Sequence, residues 1–138
     1  MTTTALDVIT LGETMVSFAA HEAGTLEDAA TFTKIVAGAE SNVGVGLARL
    51  GLKVAWVSRL GADSFGRYIR RALEAEGIDC TAVATDTTRP TGFMLKSRAL
   101  EGQDPVVEYF RRGSAASSCG SPRSACCTPP GRRSAPTT

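Results

Sequence analysis

Val36-Ala-Gly-Ala-Glu-Ser-Asn-Val-Gly-Val-Gly-Leu-Ala-Arg-Leu-Gly51 is the stretch whose reading decides the fold. A strand-like run ends in small residues and a polar Glu40-Ser41-Asn42 follows. An amphipathic helix with Val43, Leu47 and Leu50 on one face then closes at Gly51. Small residues at a strand-to-helix turn let a ligand approach the backbone, and an Asn amide both donates and accepts hydrogen bonds. The stretch therefore suits a polar, hydroxyl-bearing small molecule. Ser41 or Asn42 is the expected helix cap. From spacing alone Asn42 reads as a cap or as a ligand, and Gly38 as a turn residue or as a ligand contact.

Outward from this stretch, strand and helix patterns alternate. Residues 5–12 form a short apolar run suited to a buried parallel strand, and residues 14–20 continue as strand. Residues 30–36 are a second extended segment, reached through the polar residues 21–28. Residues 53–58 are a further strand. Asp63 or Ser64 then starts a helix with Phe65, Tyr68, Ile69, Ala72 and Leu73 on its buried side, stopped at Gly77. Residues 81–84, 91–98 and 105–111 read as strands, the last two as a hairpin around Glu101-Gly-Gln-Asp104. Tyr109 alternates with Phe110, and one of the pair is expected in the core. No internal repeat is present.

The composition bounds the function. An apolar fraction of 43% with 21% charged residues is that of a globular domain. No apolar run approaches the ~20 residues of a membrane span, and the first residues carry no signal-peptide pattern, so a cytoplasmic protein is expected. Formal charge is +1, but three arginines (Arg123, Arg132, Arg133) and no acid follow residue 117. The remainder is slightly acidic and offers no nucleic-acid surface.

The chain changes character near Ser117. Residues 118–138 contain no Val, Ile, Leu, Met or aromatic residue, yet hold four of the six prolines. Such a segment buries too little to offset the entropy of ordering it. Three of the four cysteines (Cys119, Cys126, Cys127) sit there without C-x2-C spacing or a nearby His, so neither a metal site nor a disulfide framework is indicated. The composition is that of GC-rich coding DNA read out of frame. Residues 1–117 are thus expected to be one organised portion and 118–138 a disordered, out-of-frame-like tail.

Several pieces recur together in order: Leu11-Gly-Glu13, Gly38-Ala-Glu-Ser-Asn42, Gly46-Leu-Ala-Arg-Leu-Gly51 and Arg59-Leu-Gly-Ala-Asp-Ser-Phe-Gly66. With them, the chain from Asp7 to Ser117 resembles the N-terminal portion of the ribokinase (PfkB) family of carbohydrate kinases. The resemblance implies an α/β fold, the truncated N-terminal part of a three-layer sandwich with a small β lid over the sugar. The first glycine of the family's usual Gly-Gly pair is Ala37 here. Within the family, Gly38-Ala-Glu-Ser-Asn42 followed by Tyr109-Phe-Arg-Arg-Gly-Ser-Ala-Ala-Ser117 is most similar to 2-keto-3-deoxygluconate kinases.

By that resemblance Gly38 and Asn42 hold sugar hydroxyls, and Tyr109 and Arg111 reach the substrate from the lid. Phe93 and Met94 stand where the family often has a tyrosine. Many neutral-sugar members carry an aspartate where this chain has Ser17. A carboxylate there would repel an anionic substrate, whereas Arg111 pairs well with one, so the substrate expected is a sugar acid. Asp63 and Glu40 are expected to be a cap and a local structural contact.

Other motifs fail. Gly44-Val-Gly46-Leu-Ala-Arg49 lacks the third glycine of G-x-G-x-x-G, and no G-x-x-x-x-G-K-[ST] loop occurs. Phosphoryl transfer needs a base, groups around the phosphates and a metal. In the resembled family the base is the Asp of a Gly-Ala-Gly-Asp motif, which does not occur in this sequence. ATP and Mg2+ serve the intact family enzyme and are not expected to bind well here. The chain is expected to be catalytically inactive as written, with a homodimer through the lid open to the intact protein. The alternative is a non-catalytic sugar-binding or dimerisation fragment.

Overall fold

A computed structural model describes residues 5–119. The order of elements is β1 (Val8–Leu11), β2 (Met15–Ala23), β3 (Phe32–Ala37), α1 (Ala39–Arg49), β4 (Val54–Val57), β5 (Arg59–Gly61), α2 (Ser64–Ala75), β6 (Ala84–Asp86), β7 (Phe93–Arg98) and β8 (Val107–Phe110), followed by a 3-10 turn at Ala116–Ser118. Beyond Cys119 the expected tail lies outside the described residues. No helix among the described residues is long and apolar enough to cross a membrane.

Two short parallel pairs form the base of the molecule. β1 pairs with β4 in the register Val8 to Val54, and β5 pairs with β6 in the register Arg59 to Ala84. The Val-Ile-Thr-Leu of β1 and the Val-Ala-Trp-Val of β4 are β-branched and apolar sequences that suit such strands. Beside them stands a four-stranded mixed sheet in the order β3-β2-β7-β8, with only β2 and β7 parallel. The β7–β8 hairpin around residues 101–104 is antiparallel, as its turn residues predict.

Residues 14–20 do not prolong β1. The chain breaks at Gly12, whose carbonyl accepts a hydrogen bond from the Trp56 indole at 3.2 Å, and β2 starts afresh in the other sheet and runs on to Ala23. The strand expected at residues 81–84 starts only at Ala84. Before it, the Thr81 amide donates to the Asp79 carboxylate (2.8 Å) and the Val83 amide to the Cys80 carbonyl (3.0 Å), closing a turn.

The cap of α1 also differs from expectation. Gly38 is the N-cap; Ser41 and Asn42 lie inside the helix, and the Ser41 hydroxyl bonds back to the Gly38 carbonyl at 3.1 Å. Asp63 caps α2 as expected, accepting the Gly66 amide at 2.8 Å. Both helices stop before a glycine with positive φ, Gly51 at +91° and Gly77 at +82°, where a Cβ would be strained.

The core joins Val16, Trp56, Leu60, Ile69, Leu73, Ile78, Cys80 and Val83. Alternation along β2 puts Val16 and Phe18 on the side of α2, where Phe18, Phe65 and Phe93 meet edge to face. Phe110 stacks on Phe93 with centroids 4.7 Å apart. Neither Tyr109 nor Phe110 enters the core, being 57% and 46% exposed, because β8 is an edge strand with no layer over it among the described residues.

Candidate functional site

Ligands of open α/β sheets bind beyond the carboxyl ends of parallel strands. At that end of β1 and β4 lies a recess of about 350 Å³. Leu11, Gly12 and Glu13 enter it from the end of β1, Val57 and Ser58 from β4, Glu40 from the first turn of α1, and Arg111 and Ser117 from the segment after β8. Gly12 lies close under the Glu40 side chain: an added Cβ would meet its carboxylate at 2.5 Å. Glu40 thus packs locally against the turn, as expected.

Glu13 organises the recess. Its side chain is 8% exposed; one oxygen accepts the Ser114 hydroxyl at 2.6 Å, and the other lies 2.8 Å from Arg111 Nε. The second contact is an ion pair off the line of a hydrogen bond. The Arg111 side chain remains 54% exposed at the mouth. A carboxylate so placed fixes one edge of the guanidinium and leaves its fork to a ligand anion. Sequence reasoning had Glu13 only as a motif letter and missed Ser114, because their partnership spans 101 residues.

Gly38 lies beside this turn. A Cβ there would come within 2.7 Å of Ser41 Oγ and 2.9 Å of the Glu13 carbonyl. The absent side chain therefore makes room for the Glu13-Thr14 backbone, whatever else it does. Thr14 is fully buried, and its hydroxyl has no hydrogen-bond partner among the described residues.

Asn42 is placed elsewhere. It is exposed on the flank of α1 away from Glu40, where it lines a groove with Val36, Val45, Arg49, Ala72 and Glu76 between the two helices. The structure brings Arg111 and the Gly38 turn towards one recess and sets Asn42 in another.

Tyr109 shares a cross-sheet row with Met94, Ser17 and Ile35, all on the face opposite Val16 and Phe110. Alternation puts Arg111 on Tyr109's side of the strand, and Gly92 below it would carry a Cβ only 3.4 Å from the Arg111 Cβ. Ser17 is buried in the middle of that row.

Asp63 is structural. Besides capping α2 it accepts the Thr91 amide at 2.8 Å, and the Thr91 hydroxyl accepts the Gly61 amide at 2.9 Å. Burial alone would raise its pKa; the Thr91 and Gly66 amides outweigh burial and hold it below the ordinary value.

Glu40 stands in the first turn of α1, and the Asp63 carboxylate occupies the N-terminus of α2. Among the described residues no group of three His, Cys, Asp or Glu gathers to hold a metal.

Residues 5–121 match the pfkB family of carbohydrate kinases. The chain is 49% identical over 113 residues to a 2-dehydro-3-deoxygluconokinase of Bacillus subtilis, covering 81% of this chain and 35% of the relative. The crystal structure of a PfkB protein from Polaromonas sp. JS666 superposes with a TM-score of 0.79 at 57% identity, covering 83% of this chain and 38% of the other. A sugar kinase of Pyrococcus horikoshii, in complex with ATP, superposes with a TM-score of 0.73 at 30% identity, over 78% and 35% of the two chains. The chain spans about a third of the length of these relatives.

Proposed function

This chain belongs to the pfkB family of carbohydrate kinases, and we propose that it is the sugar-side portion of a kinase acting on 2-keto-3-deoxygluconate or a related sugar acid. The observation that carries the reading is Arg111, paired through Nε to the buried Glu13 at the mouth of the recess. On the same sheet face the neighbouring polar residue is Ser17, not a carboxylate. The similarity to a 2-dehydro-3-deoxygluconokinase supports the same substrate class. In the complete kinase, the γ-phosphate of ATP passes to a hydroxyl of the bound sugar.

The roles follow from chemistry. Arg111 binds the substrate carboxylate through its free guanidinium edge, Tyr109 lies against the sugar from the same strand, and Gly38 leaves room at the turn. Asn42 is assigned to a hydroxyl by resemblance, and its place in the inter-helix groove makes it the weakest member of the set. With no phosphate cradle or base among the described residues, this chain binds the sugar and does not phosphorylate it.

Saturation-transfer NMR of the 138-residue chain with 2-keto-3-deoxygluconate and with fructose tests the reading. The acid is expected to bind in preference, and Arg111→Met to abolish the preference. Equal binding of the neutral sugar by the unmodified chain would sink the sugar-acid assignment. ATP-dependent turnover of either sugar would sink the assignment of inactivity. Resequencing the coding DNA across codons 112 to 125 tests the out-of-frame reading of the tail: a single-base difference that opens a continuous frame is expected, and a standing frame rejects it.

A further inference from the structure

The four residues after β8 form a clamp on the Glu13 carboxylate. Between Arg111 and Ser114 the chain turns back: the Ser114 amide donates to the Arg111 carbonyl at 3.1 Å, with Gly113 at φ +70° inside the turn. The turn puts the Arg111 and Ser114 side chains on the two oxygens of one carboxylate, at 2.8 Å and 2.6 Å. Ser114 is buried, and its hydroxyl also accepts the Ser117 amide at 3.3 Å, which leaves its proton for Glu13. The next amide, that of Ala115, donates to the Pro90 carbonyl at 2.8 Å and pins the turn to the segment that carries Gly92. A Cβ at Gly92 would lie 2.7 Å from the Glu13 carboxylate and 3.4 Å from Arg111 Cβ, so the absent side chain seats the pair.

We infer that Glu13, held by Ser114, is the positioning residue through which Arg111 distinguishes a sugar acid from a neutral sugar; the inference rests on the reading of Arg111 as the carboxylate-binding group. A free arginine side chain samples many rotamers, and a ligand that captures it loses affinity to that ordering. Glu13 removes this loss by holding Nε before the ligand arrives, while the half-exposed guanidinium keeps its remaining N–H groups at the mouth of the recess. The buried carboxylate also repels the ligand's own. That repulsion acts across the guanidinium at a mouth open to solvent, where screening weakens it, so the positioning effect wins.

Affinities of the 138-residue chain for 2-keto-3-deoxygluconate and for fructose, from saturation-transfer NMR titrations, test this. Glu13→Gln keeps an acceptor for Ser114 and gives up the charge beside Nε; it is expected to lower the acid-to-fructose affinity ratio about tenfold. Ser114→Ala, which releases one carboxylate oxygen, moves the ratio the same way by a smaller factor and carries the test if Glu13→Gln fails to fold. In an Arg111→Met background neither substitution is expected to move the ratio further, because each acts only through Arg111. A ratio that neither variant lowers in folded chains, or that Glu13→Gln lowers as much without Arg111 as with it, overturns this inference alone. A ratio that Arg111→Met itself leaves unchanged overturns the sugar-acid reading, and this inference with it.

Discussion

The Glu13 carboxylate and the Arg111 guanidinium, 98 positions apart, meet at 2.8 Å with the acid buried and the base half in solvent. The pair ties the turn after β1 to the end of β8, joining the two sheets at the mouth of the recess. Ser114 completes the tie from the other carboxylate oxygen.

Removing either end of this tie has unequal consequences. Glu13→Ala leaves the Ser114 hydroxyl without its acceptor and is expected to cost about 1–3 kcal/mol. Arg111→Met is expected to cost more, about 3 kcal/mol, because it leaves the Glu13 carboxylate buried without its counter-charge. The double variant should cost less than the sum, because the two residues share one interaction. Urea unfolding followed by Trp56, the single tryptophan and fully buried, measures all three.

Two glycines of one motif are expected to respond in opposite directions. Gly38→Ala pushes a methyl against Ser41 and the Glu13 carbonyl and should destabilise by about 1–3 kcal/mol. Gly46→Ala, inside α1 with open space at the Cβ position, should stabilise by about 0.5–1 kcal/mol. Thermal unfolding of the two variants checks the signs.

Asp63 makes stability depend on acid. Its native pKa lies below the ordinary 3.8, so its contribution is complete above that value and is lost as the pH falls through the lower native one. Asp63→Asn should flatten this acid limb and cost about 1 kcal/mol near neutrality. Denaturant midpoints of both proteins between pH 2 and 7 would show it; parallel curves would reject the assignment.

Cys80 should be inert in the folded chain. Burial pushes its thiol up to about 11, leaving almost no thiolate at pH 8. Iodoacetamide labelling with peptide mass mapping is expected to spare Cys80 until denaturant is added.

Much of the fold was legible in local pattern. The stop of α1 at Gly51, the Asp63 cap, the stop at Gly77 and the hairpin around residues 101–104 each depend on neighbours a few positions away. Turn chemistry and helical periodicity report such neighbours directly. Where a competing local bond intervened, the pattern misled: the Ser41 hydroxyl turns back to Gly38 inside the helix, and the Asp79 turn delays β6 to Ala84.

The sequence by itself determined most of the order of elements, the stops of both helices and the family, because each is written in residue type and short spacing. Tertiary structure alone decided that β2 leaves β1 for another sheet, that Glu13 holds Arg111, and that Asn42 faces a different groove. Those outcomes depend on which distant segments the chain brings together, and side-chain spacing along one strand or helix holds no record of a partner about a hundred residues away.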